Sequence, residues 1–142
     1  MTIYVDSSFL VSCYLTDIHS HEADRRMATS PDVFISPFNR YELSVAIFRQ
    51  EFVKRVVLTV AVQAFGNFEA NCRSGVWKVI PFPSAAWETS IDLARKHGPT
   101  LGVRTLDSLH VACALELKAQ KFWTFDDRQA RLAEAVGLDT TA

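Results

Sequence analysis

The chain has 142 residues, 49% of them apolar and 11% aromatic, the length of one ordinary domain with enough apolar surface to bury a core. Fifteen basic against sixteen acidic residues leave a net charge of −1. That balance excludes the broad positive field of a protein that coats nucleic acid, so any such contact must be local. In chain order the first element is Ile3-Tyr4-Val5, a short β-branched and aromatic run of the kind that forms buried strands, and Asp6 follows it at once. Val33-Phe34-Ile35 reads as a second strand. Ser36-Pro37 then supplies a cap and a proline at the first helical position, opening a helix that runs to about Gln50. The spacing Val57, Ala61, Ala64, Phe68, Cys72 is helical and ends near Gly75, and Val76 to Ile80 reads as a third strand. Ser84 is the predicted cap of a segment through Trp87, Ile91 and Ala94 that Gly98-Pro99 should stop. The next helix carries Leu106, Leu109, Cys113 and Leu117, with Val111, Ala112, Ala114 and Leu115 on its other faces, so it should be nearly surrounded by protein. Phe122-Trp123-Thr124 is a fourth strand, and Asp127 to Val136 a last helix before Gly137.

Strands alternating with helices of this length imply parallel pairing through right-handed crossovers. The expectation is a three-layer α/β/α sandwich around a central, mostly parallel four- or five-stranded sheet, forming a single domain over residues 1–142. In such sheets ligands gather beyond the carboxyl ends of the strands, near the switch in strand order. Asp6 and Asp126 both follow predicted strands and fall there. Glu42 lies in line with Phe38, Val45 and Ala46 on an expected buried stripe, and Asp107 stands between Leu106 and Leu109 in the first turn of the most apolar helix.

Burying an ionised carboxylate is costly, and four in one pocket would repel one another and push their pKa values up. A divalent cation cancels this. Carboxylate oxygens suit Mg²⁺ or Mn²⁺, and no His or Cys set favours zinc. The chemistry that follows is metal-assisted attack of water on a phosphodiester. Taken singly, an Asp after a strand is ordinarily a turn residue or helix cap, and Glu42 could pair with Arg40 or Arg49. Only the set of four points to metal.

Four segments in order, Tyr4-Val5-Asp6-Ser7-Ser8, Glu42 within Asn39-Arg40-Tyr41-Glu42-Leu43, Arg104-Thr105-Leu106-Asp107-Ser108-Leu109-His110-Val111-Ala112, and Phe122-Trp123-Thr124-Phe125-Asp126-Asp127-Arg128-Gln129, span nearly the whole chain. Through them the chain resembles PIN-domain nucleases, and in particular the VapC toxins of bacterial toxin–antitoxin pairs. By that resemblance Asp6, Glu42, Asp107 and Asp126 take the family's acidic metal-binding positions. The resemblance implies a Mg²⁺- or Mn²⁺-dependent endoribonuclease that cuts RNA, forms a homodimer and is silenced by a cognate antitoxin. It also implies supporting hydroxyls behind the first Asp and before the last acidic position, where Ser7, Ser8 and Thr124 stand. Asp127 either shares an outer metal shell or caps the last helix.

Other residues have plainer readings. His110, one turn after Asp107, reads as a hydrogen-bonded core histidine, and His19 and His21 as surface residues. Cys13, Cys72 and Cys113 are odd in number, widely spaced and without CxxC, and read as reduced core cysteines. Arg25, Arg26, Arg40, Arg49, Lys54 and Arg55 are candidates for an RNA path at the rim of the site, or solvated helix faces. Trp77, Trp87 and Trp123 fit core packing or a dimer surface better than base stacking. The opening MTIYVDSSFLV has no basic leader and no stretch approaches the ~18 apolar residues of a membrane span, so a cytoplasmic location is expected. The competing functions are a catalytically silent module whose acidic pocket holds metal or a partner's arginine, and a phosphatase or phospho-receiver domain. The latter lacks a second Asp two residues after Asp6. Nucleotide cofactor binding lacks a glycine-rich turn after the first strand.

Overall fold

A computed structural model describes residues 1–142. Four strands of three residues each, β1 (Ile3–Val5), β2 (Val33–Ile35), β3 (Trp77–Val79) and β4 (Lys121–Trp123), form one sheet in the order β3-β2-β1-β4. Every pairing is parallel. The chain steps outward from β1 to β3 and then crosses back to place β4 on the other side of β1. The switch in strand order therefore lies between β1 and β4, and the crevice beyond their carboxyl ends is where such sheets bind ligands.

Seven helices cover the sheet: α1 (Ser7–Tyr14), α2 (Ser20–Met27), α3 (Pro37–Phe52), α4 (Leu58–Arg73), α5 (Ala86–Leu101), α6 (Thr105–Glu116) and α7 (Asp127–Ala135). The period of two along the strands sorts side chains into two cores. Ile3, Val5, Val33, Ile35 and Trp123 pack with Phe9, Leu43, Ile47 and Phe68 from the first four helices. Tyr4 and Phe122 point the other way and pack with Leu93, Val111, Leu132 and Ala133 from the last three. These are the three layers expected, with four strands and no antiparallel member.

The helices depart from expectation in three places. The sequence pattern assigns nothing between Asp6 and Val33, where the structure has α1 and α2. The sequence of α1, SSFLVSCY, carries no polar face to mark a helical period. Helix α5 is not capped by Ser84: its cap position is Ala85, with no side-chain bond. Nor does Gly98-Pro99 stop it. Pro99 lies on the exposed side, and Leu101 and Val103 pack on the second core, so the helix continues to Gly102, which ends it at φ +64°. On α3 the buried stripe is Asn39, Leu43 and Ile47 at intervals of four, not the line through Val45, which is 52% exposed. Glu42 consequently flanks the buried face and is half-buried. Helix α6 is as enclosed as expected, with every residue from Asp107 to Ala114 buried. No helix is long and apolar enough to cross a membrane.

Candidate functional site

Asp6 is fixed by the sheet before its side chain does anything. Its amide still donates to Trp123 O across from β4 at 3.2 Å, holding it at the β1/β4 switch. The carboxylate caps α1, with Oδ1 accepting from the Phe9 amide at 3.0 Å and from Ser8 Oγ at 2.7 Å. Oδ2 accepts from Thr124 Oγ1 at 2.7 Å. The residue is 2% exposed. Burial raises its pKa, and the nearby His110, the two hydroxyls and the Phe9 amide oppose that rise without cancelling it.

Thr124 also accepts from the Asp126 amide at 3.0 Å, so one hydroxyl ties Asp6 to the start of α7. Asp126 caps that helix through the Gln129 amide at 3.0 Å. The capping alternative considered for Asp127 therefore falls to its neighbour; Asp127 is exposed in the first turn. Gln129, itself buried, donates its side-chain amide to Asp107 Oδ1 at 2.8 Å.

Arg104 joins the same two acids. Its Nε and Nη2 donate to Asp107 at 2.7 and 3.2 Å, and Nη2 donates to Asp126 Oδ2 at 2.6 Å. These bonds raise the guanidinium pKa further above its ordinary value. Burial alone would raise the Asp126 carboxyl, but the Gln129 amide and Arg104 hold it below the usual range.

Glu42 reaches in from α3. It pairs with neither Arg40 nor Arg49 but accepts from Ser7 Oγ at 2.9 Å and from His110 Nε2. His110 is 3% exposed, and its Nδ1 meets the Tyr4 hydroxyl at 2.9 Å. An ionised carboxylate only accepts, so His110 Nε2 carries a proton and donates to Glu42. Burial would raise the Glu42 pKa, but His110, Ser7 and Arg104 together lower it. His110 is thus a hydrogen-bonded core histidine, and one that orients Glu42.

The structure brings all four acids to the carboxyl side of the sheet, with Asp6, Asp126 and Asp107 linked through Thr124, Arg104 and Gln129, and Glu42 held separately by Ser7 and His110. It does not converge them into a cage: no three His, Cys, Asp or Glu side chains meet as a ligand set. Each carboxylate accepts from neighbouring donors instead. The donor set nevertheless fits a hard divalent ion. All the anionic atoms are oxygens, and a single cationic group, the Arg104 guanidinium, already spans Asp107 and Asp126.

Sequence reasoning passed over Arg104, Gln129 and Tyr4. Arg104 stands three residues before Asp107 at a helix start, a legible ion-pair spacing. The basic residues singled out are mostly engaged elsewhere: Arg25 and Arg26 pair with Glu22, Arg40 with Glu69, and Lys54 with Glu51. It is Arg104, Arg128 and Arg131, with Phe125, Asp126 and Asp127, that line an open depression beside the acids. The His19 ring stacks on Phe125 at 4.5 Å, and His21 is exposed. Trp77 and Trp123 are core residues, whereas Trp87 is 52% exposed beside Phe38 and Phe82. All three cysteines are free, but only Cys113 is fully buried.

The model of the PIN domain matches residues 3–135. The chain belongs to the PIN-domain family. Among solved structures, this PIN domain is similar to VapC20 of Mycobacterium tuberculosis, described as a toxin that cleaves the sarcin–ricin loop, at a TM-score of 0.72 and 22% identity over 98% of both chains. VapBC2 of Rickettsia felis, solved with a fragment of promoter DNA, gives 0.67 at 14% identity over 99% of this chain and 98% of that one. FitAcB of Neisseria gonorrhoeae gives 0.65 at 12% identity over 99% and 96%. At these identities the likeness is one of fold. No curated protein matches the PIN-domain sequence.

Proposed function

We propose that this PIN domain is a Mg²⁺- or Mn²⁺-dependent endoribonuclease that acts as the toxin of a toxin–antitoxin pair. The observation that carries the reading is the gathering of Asp6, Glu42, Asp107 and Asp126, from four separate chain segments, around the β1/β4 switch, with a cation across two of them. Asp6, Asp107 and Asp126, with Glu42 beside them, would hold the ion. Bound there, a divalent ion lowers the pKa of a water and stabilises charge developing on the phosphate. The chain's own residues prepare the site: Ser8 and Thr124 aim the two Asp6 oxygens, Gln129 aims Asp107, and the Tyr4–His110 pair keeps Glu42 ionised and fixed. Asp127 is exposed and lines the depression beside Asp126, where it would support the ion's outer shell. Arg128 and Arg131 offer the local positive charge that a phosphate backbone needs in a chain of net charge −1. A cognate antitoxin and a homodimer complete the reading, on the resemblance to VapC toxins and the fold shared with VapC20.

The competing reading, a catalytically silent binding module, is favoured by the lack of any three acids converging as one ligand set. Growth on induced expression separates the two. Arrest by the wild type and its loss in Asp107→Asn support the nuclease; arrest that survives the substitution refutes it.

A further inference from the structure

Arg104 has the chemistry of a cation at the place where the proposed function puts a metal. Its guanidinium makes three hydrogen bonds to two carboxylates that belong to different helices, Asp107 in the first turn of α6 and Asp126 at the cap of α7. A divalent ion on those oxygens would sit against the guanidinium charge and compete with it for the same lone pairs. Arginine does not leave by losing its proton, so it can vacate them only by moving. Movement is open to it. Arg104 is the cap residue of α6, outside the helix proper, its side chain is 52% exposed, and it faces the depression shared with Arg128 and Arg131. Asp107 keeps its Gln129 bond and Asp126 its Gln129 amide when the guanidinium departs, so neither acid loses its orientation.

We infer that Arg104 is a resident counter-cation that competes with the divalent ion for Asp107 and Asp126 and is displaced toward the Arg128–Arg131 depression when the ion binds. The inference rests on the metal-site reading above. In the metal-free protein Arg104 relieves the repulsion between two acids that are close enough to share it; in the loaded protein it stands at the rim, one more positive group for the substrate backbone. The consequence is counter-intuitive: removing a residue bonded to two metal-binding acids should tighten metal binding.

The test is Mn²⁺ affinity, measured by calorimetry or by the free-ion resonance signal, for wild type, Arg104→Gln and Arg104→Lys. Glutamine removes the charge, and the loss of two ion pairs exposed mainly on the arginine side corresponds to roughly tenfold tighter Mn²⁺ binding. Lysine keeps a charge without the fork and should fall between. Unchanged or weaker binding in Arg104→Gln, with Arg104→Lys likewise no tighter than wild type, overturns the inference. The two readings fail separately. Wild type that binds no Mn²⁺, or binds it equally well as Asp107→Asn, sinks the metal site itself. Binding that Asp107→Asn abolishes and Arg104→Gln leaves untouched sinks only the competition.

Discussion

In the proposed function Asp6 binds metal at the expense of stability, and two substitutions separate these effects. Asp6→Asn removes a charge that burial disfavours but keeps the shape of the cap. The Asn oxygen can still accept from the Phe9 amide and Ser8, while its amide donates to Thr124, whose hydroxyl then turns to Ser8 Oγ, 3.2 Å away. Metal-free Asp6→Asn should therefore be at least as stable as wild type. The sign follows from the raised pKa: the folded protein binds the Asp6 proton more tightly than the unfolded chain, so wild-type stability declines as pH rises from 3.8 through that raised value. The advantage of the variant is accordingly largest at neutral pH and vanishes below 3.8. Asp6→Ala does the opposite. It costs a cap of about 1 kcal/mol and leaves buried donors without an acceptor at about 1–3 kcal/mol, a loss of roughly 3 kcal/mol and roughly 10 °C in Tm. Thermal melts at neutral and acid pH, with and without Mn²⁺, read both effects. Mn²⁺ should raise the wild-type Tm and leave both variants unmoved. A metal-free Asp6→Asn protein that melts as low as Asp6→Ala would refute the view that Asp6 is a strained acid rather than a structural one.

Replacing His110 by Ala withdraws the donor from Glu42 and one partner from Tyr4, which retains Asn39; urea unfolding should register a loss of about 1–3 kcal/mol beyond that of the ring's packing. Glu42 titrates below its ordinary 4.5, so its contribution is present above that value and lost as pH falls through the lowered pKa. Glu42→Gln should flatten the acid limb of a plot of urea midpoint against pH, and an unchanged limb would contradict the His110–Glu42 contact. Gly102→Ala puts a side chain at φ +64° where nothing lies within 4 Å, so the cost is conformational alone, about 1 kcal/mol, read as a small drop in Tm.

Much of this site was legible because two of its acids sit at strand exits, where the parallel topology leaves few alternatives: Val5 ends β1 and Asp6 comes next; Trp123 ends β4 and Asp126 follows the intervening Thr124 and Phe125. Asp107 was legible as a charge in an apolar helix. Glu42 reads from the sequence as part of the buried stripe and lies beside it, since the stripe through Asn39, Leu43 and Ile47 is set by packing and not by the most apolar line on the wheel. What escaped was long-range. Arg104 meets Asp126 across 22 residues, and His110 meets Glu42 across 68, and no local pattern announces either. The helices α1 and α2 escaped for a different reason: the apolar α1 shows no period, and α2 is strongly polar with only Ala23 buried. Pro99 misled because a proline on an exposed last turn is tolerated when the residues beyond it are anchored in the core.

The most direct measurement is cleavage of a defined RNA panel by the purified protein in Mg²⁺, in Mn²⁺ and in EDTA, beside Asp6→Asn. Cleavage with either ion, abolished by EDTA, restored by added Mn²⁺ and absent from the folded variant, is the expected result. Cleavage that persists in EDTA or in Asp6→Asn, or no cleavage of any RNA with either ion, would contradict a carboxylate-held metal as the centre of the activity.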